Sequence, residues 1–248
     1  MNLPQKYWDE LANRYPRYND PSILADSKFI FENAKNFGIN IQDKTILDIG
    51  CGTGTLALNI ANFAKQIDAL DSSLQMLEVF ENDSNCLNFS NKINIHRSSW
   101  ADFNITKKYD IAIASMTPAI NTDDLKSKFI SSANDKIYVG WGDYKYNNVL
   151  DKLFEILKID NQKAFGQAGR FCKFLENLNI KYELIYFQSS WSDVHKKSDA
   201  ISYCKNHLER FDVKIDDNFL DDFLDDFVQN GFVKMDTQAQ KGLVLFKN

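Results

Sequence analysis

Between Lys44 and Thr55 the chain reads KTILDIGCGTGT, and no other segment concentrates so many residues able to do chemistry. A short β-branched run ends in three alternating glycines, Gly50, Gly52 and Gly54, with Cys51 between the first two; a helical stretch, TLALNIANFAK, follows at once. Glycines there permit positive φ and let a ligand lie against bare backbone. The first amides of a following helix carry partial positive charge into the same space. The spacing is Gly-x-Gly-x-Gly, with Thr55 where a dinucleotide fingerprint would have its third glycine. Asp48 stands two residues before the first glycine, at the mouth of the strand. A carboxylate in that place repels a pyrophosphate. It suits a ligand that carries an ammonium and a sulfonium but no phosphate, and S-adenosylmethionine is such a ligand. An NAD-dependent oxidoreductase is disfavoured on both counts.

At these residues the chain resembles the class I S-adenosylmethionine-dependent methyltransferases, strongly from about Lys44 to Pro118 and more loosely to Asn248. The resemblance implies that Asp48, Gly50, Cys51, Gly52 and Gly54 hold the methionine end of the cofactor. It also implies that Asp71, closing the strand-like QIDALD, binds both ribose hydroxyls, with Ser72 and Met76 lining the adenine pocket. Taken alone, Asp71 could equally be a helix N-cap. After the strand KINIH the family has a Gly-Asp-Ala type turn that holds adenine; here stand Ser98, Ser99 and Trp100, followed by Asp102. The usual carboxylate is missing, so Ser99 is left to hydrogen-bond the base, and Trp100 either stacks on it or packs in the core. YDIAIASMTPAI resembles the fourth strand and its loop, whose start at Ser115 faces the methyl group.

Methyl transfer from a sulfonium depends mainly on holding the acceptor in line. A general base is needed only for an acceptor that arrives protonated, and no residue pattern here marks one. The N-terminal YWDELANRYPRY resembles a lid that closes over the cofactor and builds the acceptor pocket. It offers Arg14, Tyr15 and Tyr18, with Arg14 suited to a carboxylate. Met116 in the Ser115–Pro118 loop, Trp141 in VGWGD past the fifth strand and His195 in SSWSDVHKK complete the acceptor set. Plain packing for Trp141 and a solvent-facing helical position for His195 are the alternatives. Cys204 and His207 lack two further ligands, so no metal is expected. The fourth strand is not followed by an Asn/Asp-Pro-Pro-Tyr tetrapeptide, no Pro-Cys dipeptide exists, and Ser115 replaces the acid of catechol-type enzymes. What remains is a small-molecule methyl acceptor. The rivals are methylation of protein or RNA, and a non-catalytic S-adenosylmethionine-binding protein.

The elements that must position these residues alternate strand and helix from Lys44 to Trp141, which implies right-handed βαβ crossovers and a parallel sheet. The expected fold is α/β, Rossmann-like and doubly wound, with a mostly parallel seven-stranded sheet; the family resemblance makes its last strand, KGLVLFK, antiparallel. One domain is expected over 1–248, with a helical lid at 1–40, a cofactor-binding half at 44–145 and a C-terminal sheet half with helical insertions at 146–248. Ser72 is the expected N-cap of the helix through Phe80, with Gln75 reaching back. Further helices are expected over Ser22–Phe37, Asn147–Leu157, Phe165–Leu178 and Asp193–Arg210, and a strand over KYELIYFQ. Asp216 to Val228 sets apolar residues at helical spacing among six aspartates, as in a surface helix or a docking helix.

Composition bounds the rest. Of 248 residues, 44% are hydrophobic and 25% charged, which excludes disordered, collagenous and disulfide-scaffold classes. With 29 basic against 34 acidic residues and a net charge of −5, no nucleic-acid partner is expected. Four scattered cysteines, no leader-like N-terminus and no membrane-length apolar run point to a cytoplasmic protein without a membrane partner.

Overall fold

The computed structural model describes residues 5–160 and 165–247. Residues 1–4 of the expected lid, and 161–164 and 248 of the expected C-terminal half, lie outside them. In chain order the elements are α1 (Gln5–Leu11), α2 (Pro21–Asn36), β1 (Thr45–Ile49), α3 (Ala57–Ile60), β2 (Gln66–Asp71), α4 (Leu74–Cys86), β3 (Ile93–Arg97) and β4 (Tyr109–Ser115). Then come α5 (Asp123–Ser132), β5 (Ala133–Asn147), α6 (Leu150–Leu157), α7 (Gln167–Asn177), β6 (Tyr182–Lys196), α8 (Lys197–Leu208), α9 (Asp217–Asp225), β7 (Val228–Gln229) and β8 (Phe232–Lys247). The sheet order is β3-β2-β1-β4-β5-β8-β6, with β7 paired to β8 as an eighth strand. β1 to β5 run parallel wherever they are neighbours, as the strand–helix alternation requires.

Two compact units divide the chain. The first runs to Gly140 and resumes at Gln167–Phe187 and from Lys241; the second comprises Trp141–Gly166 and Gln188–Gln240. In the first unit successive strand residues go to opposite faces of the sheet. Ile46, Ile111 and Ile113 join one apolar cluster, and Leu47, Ala112 and Ala114 join another. That two-sided burial is why β1 and β4 read as continuous apolar runs. Asp68, buried on β2, accepts hydrogen bonds from Asn94 (2.7 Å) on β3 and Tyr109 (2.8 Å) on β4, and pairs with Lys107 at 2.7 Å. Burial alone would raise its pKa, but Lys107, Asn94, Tyr109 and His96 outweigh that and hold it at about 2.

In the second unit Leu150, Leu153 and Phe154 of α6 pack with Ala200, Cys204 and Leu208 of α8 and Leu220 and Leu224 of α9. There Asp143 bonds to Gln240, Asn147 to Thr237 and Asn148 to Asp236. Partner numbers fall along β8 as they rise along β5, so this pair is antiparallel.

Several boundaries depart from sequence. The helix after the glycine turn is only Ala57–Ile60, with turns on both sides. The N-cap of α4 is Ser73, whose hydroxyl accepts from the Met76 amide at 3.2 Å, one residue later than Ser72. β5 runs on to Asn147, so Trp141 lies within it and α6 starts at Leu150. β6 continues to Lys196, which puts His195 on a strand, and α8 starts at Lys197. The last strand begins at Phe232, well before KGLVLFK. Among the described residues no helix is long and apolar enough to cross a membrane.

Candidate functional site

The glycines after β1 each have a separate reason. All three have positive φ: 67° at Gly50, 53° at Gly52 and 78° at Gly54. A Cβ at Gly50 would lie 2.0 Å from Thr117 Oγ1, and one at Gly54 would lie 2.3 Å from the Phe80 ring. Those two positions serve close packing. At Gly52 the nearest atoms are Tyr15 Cε1 at 3.8 Å and Met76 Sδ at 4.0 Å, so its bare backbone borders open space between two side chains. Because α3 is a single turn, the local amides rather than a helix dipole shape this loop. Gly50 and Cys51 donate their amides to the Leu70 carbonyl at 2.8 and 3.0 Å, which sets the loop against the end of β2.

Asp71 closes β2 and faces that loop. Its Oδ2 accepts the Gly52 amide at 3.0 Å and its Oδ1 the Ser73 amide at 2.9 Å. Burial raises its pKa, against the pull of those backbone donors. Asp48 is 4% exposed. Burial, and then the charge of Asp71, push its carboxyl up to about 7. Burial likewise drives the Cys51 thiol up. Among the described residues no Lys or Arg lies within ion-pair distance of Asp48 or Asp71. Among the described residues the cleft thus holds two carboxyl groups with no lysine or arginine paired to either.

The N-terminal segment is fastened over the glycine loop by contacts that residue types alone did not reveal. Gln5 donates to the Ser72 carbonyl at 2.9 Å, and Ser73 Oγ donates to Asp9 at 2.5 Å. Thr53 Oγ1 donates to the Pro16 carbonyl at 2.8 Å, and the Asn59 amide to the Tyr18 carbonyl at 3.0 Å. Arg17 grips Asp83 of α4 with two hydrogen bonds. Tyr7, Trp8 and Tyr15 meet edge to face. Burial, then Asp71 and Tyr7, raise the Tyr15 phenol to about 12, so it stays a neutral donor. The only advance signal was the aromatic density of this segment.

Sequence-proposed residues sort as follows. Asp48, Cys51, Gly52, Asp71, Tyr15 and Met76 gather around one loop. Ser115 ends β4, and Met116 beyond it holds the left-handed conformation at φ 51°, its amide bonded to the Val139 carbonyl at 2.8 Å. That backbone strain sits at a strand end. Ser72 offers its carbonyl to Gln5, and the Ser99 hydroxyl is engaged with Asp102 at 2.5 Å. Trp100 is buried, its indole N–H donated to the Leu125 carbonyl at 3.0 Å and the Lys128 ammonium 4.6 Å from the ring centre. Its ring is therefore committed to packing. Tyr18 packs against the core, and Arg14 is exposed at the end of a single 3₁₀ turn. Trp141 and His195 belong to the second unit. There Lys145 lies 5.2 Å from the Trp141 ring centre and 5.4 Å from that of Trp191, and His195 packs on Tyr203 at 5.2 Å.

A doubly wound, mostly parallel sheet whose first strand enters a glycine turn, with a carboxylate closing the second strand beside it, is the class I methyltransferase architecture. Residues 46–135 match the family model described as "Methyltransferase domain". Residues 46–135 are thus similar to a methyltransferase domain, and the fold is that of the class I kind. A protein of Haemophilus influenzae described as uncharacterized is 29% identical over 147 residues, covering 56% of this chain and 50% of that protein. The chain thus matches about half the length of this curated relative. Among solved structures, magnesium protoporphyrin IX methyltransferase from Synechocystis with bound SAH is similar at a TM-score of 0.56 and 13% identity, covering 92% of this chain and 84% of that one. A methyltransferase from Thiobacillus denitrificans in complex with S-adenosylhomocysteine is similar at 0.54 and 12% identity, with 100% of both chains covered.

Proposed function

We propose that this chain transfers the methyl group of S-adenosylmethionine to a small-molecule acceptor. The observation that carries the reading is the pair of withdrawn carboxylates, Asp48 and Asp71, at a glycine turn with no lysine or arginine paired to either among the described residues. An anionic pyrophosphate would meet repulsion there, whereas an ammonium and a sulfonium supply the missing positive charge. The bound cofactor supplies an electrophilic methyl group on sulfur.

In this reading Asp48 faces the cofactor's cationic end and Asp71 accepts the ribose hydroxyls beside the Gly52 and Ser73 amides. Met76 and Ser72 border the base, the Cys51–Gly54 backbone carries the chain past the methionine end, and Ser115 and Met116 bound the reacting methyl group. Ser99 serves the base through its backbone, and Trp100 holds the loop in shape. Tyr15 closes the cleft opposite Gly52 and presents a neutral hydroxyl, so it can orient an acceptor without taking its proton. Arg14 is the cation nearest in sequence for an acidic acceptor. Trp141 and His195 take no part in this proposal.

Charge supports a compact acceptor over a nucleic acid. The first unit balances at 19 acidic and 19 basic residues, and the second holds 15 acidic against 10 basic. Neither unit carries the excess of basic residues that a phosphate-binding partner favours. Two structurally similar proteins, magnesium protoporphyrin IX methyltransferase and coclaurine N-methyltransferase, are named for small molecules. The four free cysteines suit a reducing, cytoplasmic setting. The test offers methyl-labelled cofactor with three separate acceptor pools: small metabolites, total RNA and total protein. Label should enter the metabolite pool and vanish with Asp71→Ala; label in RNA or protein instead would overturn the acceptor class.

A further inference from the structure

We infer that the second unit docks a basic, amphipathic helix of a partner protein in the groove between α6 and α9. The groove has a volume of 410 Å³. Part of its apolar lining is open to water: Tyr146 is 53% and Ile156 49% exposed, while Phe223 and Phe227, half-buried against the core, set their rings side by side at 5.2 Å. These side chains gather in one groove rather than lying scattered singly, so a partner can cover them together. Glu155 and Asp226 stand on its rim. Lys152, the one cation lining it, is paired with Glu155 at 3.0 Å, and Asp226 makes no ion pair among the described residues.

The occupant is chosen by charge. All of the chain's net charge of −5 falls in the second unit, because the first unit balances. A second copy of this chain would bring the same acidic surface to the contact, and a nucleic acid would bring phosphates. A helix with one Leu- or Phe-rich stripe flanked by Lys and Arg meets both features at once. Its stripe covers the four apolar side chains, and its cations reach Asp226 and the neighbouring exposed Asp222. Two helices already frame the groove, so a third can pack its ridge between them.

The probe is a synthetic Leu/Lys amphipathic helix, about 18 residues long, set against a Leu/Glu helix of the same pattern. Calorimetry and anisotropy should show one saturable site for the Leu/Lys helix on the full chain, weakened by added salt, and none for the Leu/Glu helix. Ile156→Glu, and separately Asp226→Lys, should each weaken that binding by about tenfold or more. Both positions are exposed, so circular dichroism and S-adenosylhomocysteine affinity should match the parent protein. Binding that is unsaturable, absent or unchanged in Ile156→Glu overturns the proposal. So does concentration-dependent dimerisation abolished by Ile156→Glu, which would assign the groove to a second copy.

Discussion

Burial, and then the charge of Asp71, raise the proton affinity of Asp48, and this makes binding of a cationic ligand a deprotonation event. The sign follows from linkage. The folded Asp48 carboxyl sits at about 7, above its ordinary value of 3.8. Without ligand, the stability it contributes is complete below the ordinary carboxylate range and is lost as pH rises through about 7. A cationic cofactor needs the ionised form, so its affinity should climb as pH rises through that range, with proton uptake by the buffer near neutrality. Calorimetry in buffers of differing ionisation enthalpy measures this directly. Asp48→Asn should remove both the released proton and the pH dependence; an unchanged proton count would place the titration elsewhere. Asp48 was legible in sequence because a carboxylate before Gly50 is unexpected for a phosphate binder. The Asp71 amide bonds were not, since they depend on where the Gly52 amide points.

At the scale of elements, the glycine turn owes its path as much to packing as to ligand. Gly54→Ala would drive a methyl group into the Phe80 ring, 2.3 Å away, at a backbone φ of 78°. The combined overpacking and left-handed strain should destabilise the protein by about 3 kcal/mol. Chemical denaturation measures the loss, and adding Phe80→Leu should recover part of it through direct coupling. Additive losses in the double variant would show that the ring is not what forbids the side chain. Periodicity identified β1, β2 and β4 because both of their faces are buried, and β3 because Ile93 and Ile95 alternate with polar residues. It found only part of the long strands β5, β6 and β8, where half-exposed stretches such as Ser189–Lys196 alternate too weakly in polarity to be separated from loop or helix. α3 fell short for the opposite reason: the apolar TLALNIANFAK reads as helix, but turns on both sides leave it only four residues.

Across the whole molecule, charge is partitioned where composition gives only a net −5. The balanced first unit carries the methyltransferase domain match, and the acidic second unit carries the exposed groove. A chain with a net charge of −5 should bind RNA weakly, with little of the steep salt dependence that phosphate neutralisation produces. Filter binding of total RNA across a salt series checks this. Tight binding that collapses with salt would reveal a phosphate-binding face and favour an RNA acceptor.

The account's central claim is that Asp71 and the glycine turn form a site for S-adenosylmethionine and not for a dinucleotide. Calorimetric titration of the parent protein and Asp71→Ala with S-adenosylhomocysteine, and with NAD, tests it most directly. Each charge-assisted bond from ribose to Asp71 is worth roughly 1.5–3 kcal/mol, so the variant should bind at least about tenfold more weakly while its circular dichroism is unchanged. NAD should give no heat with either protein. Equal S-adenosylhomocysteine affinity in parent and variant, or binding of NAD alone, would contradict the claim.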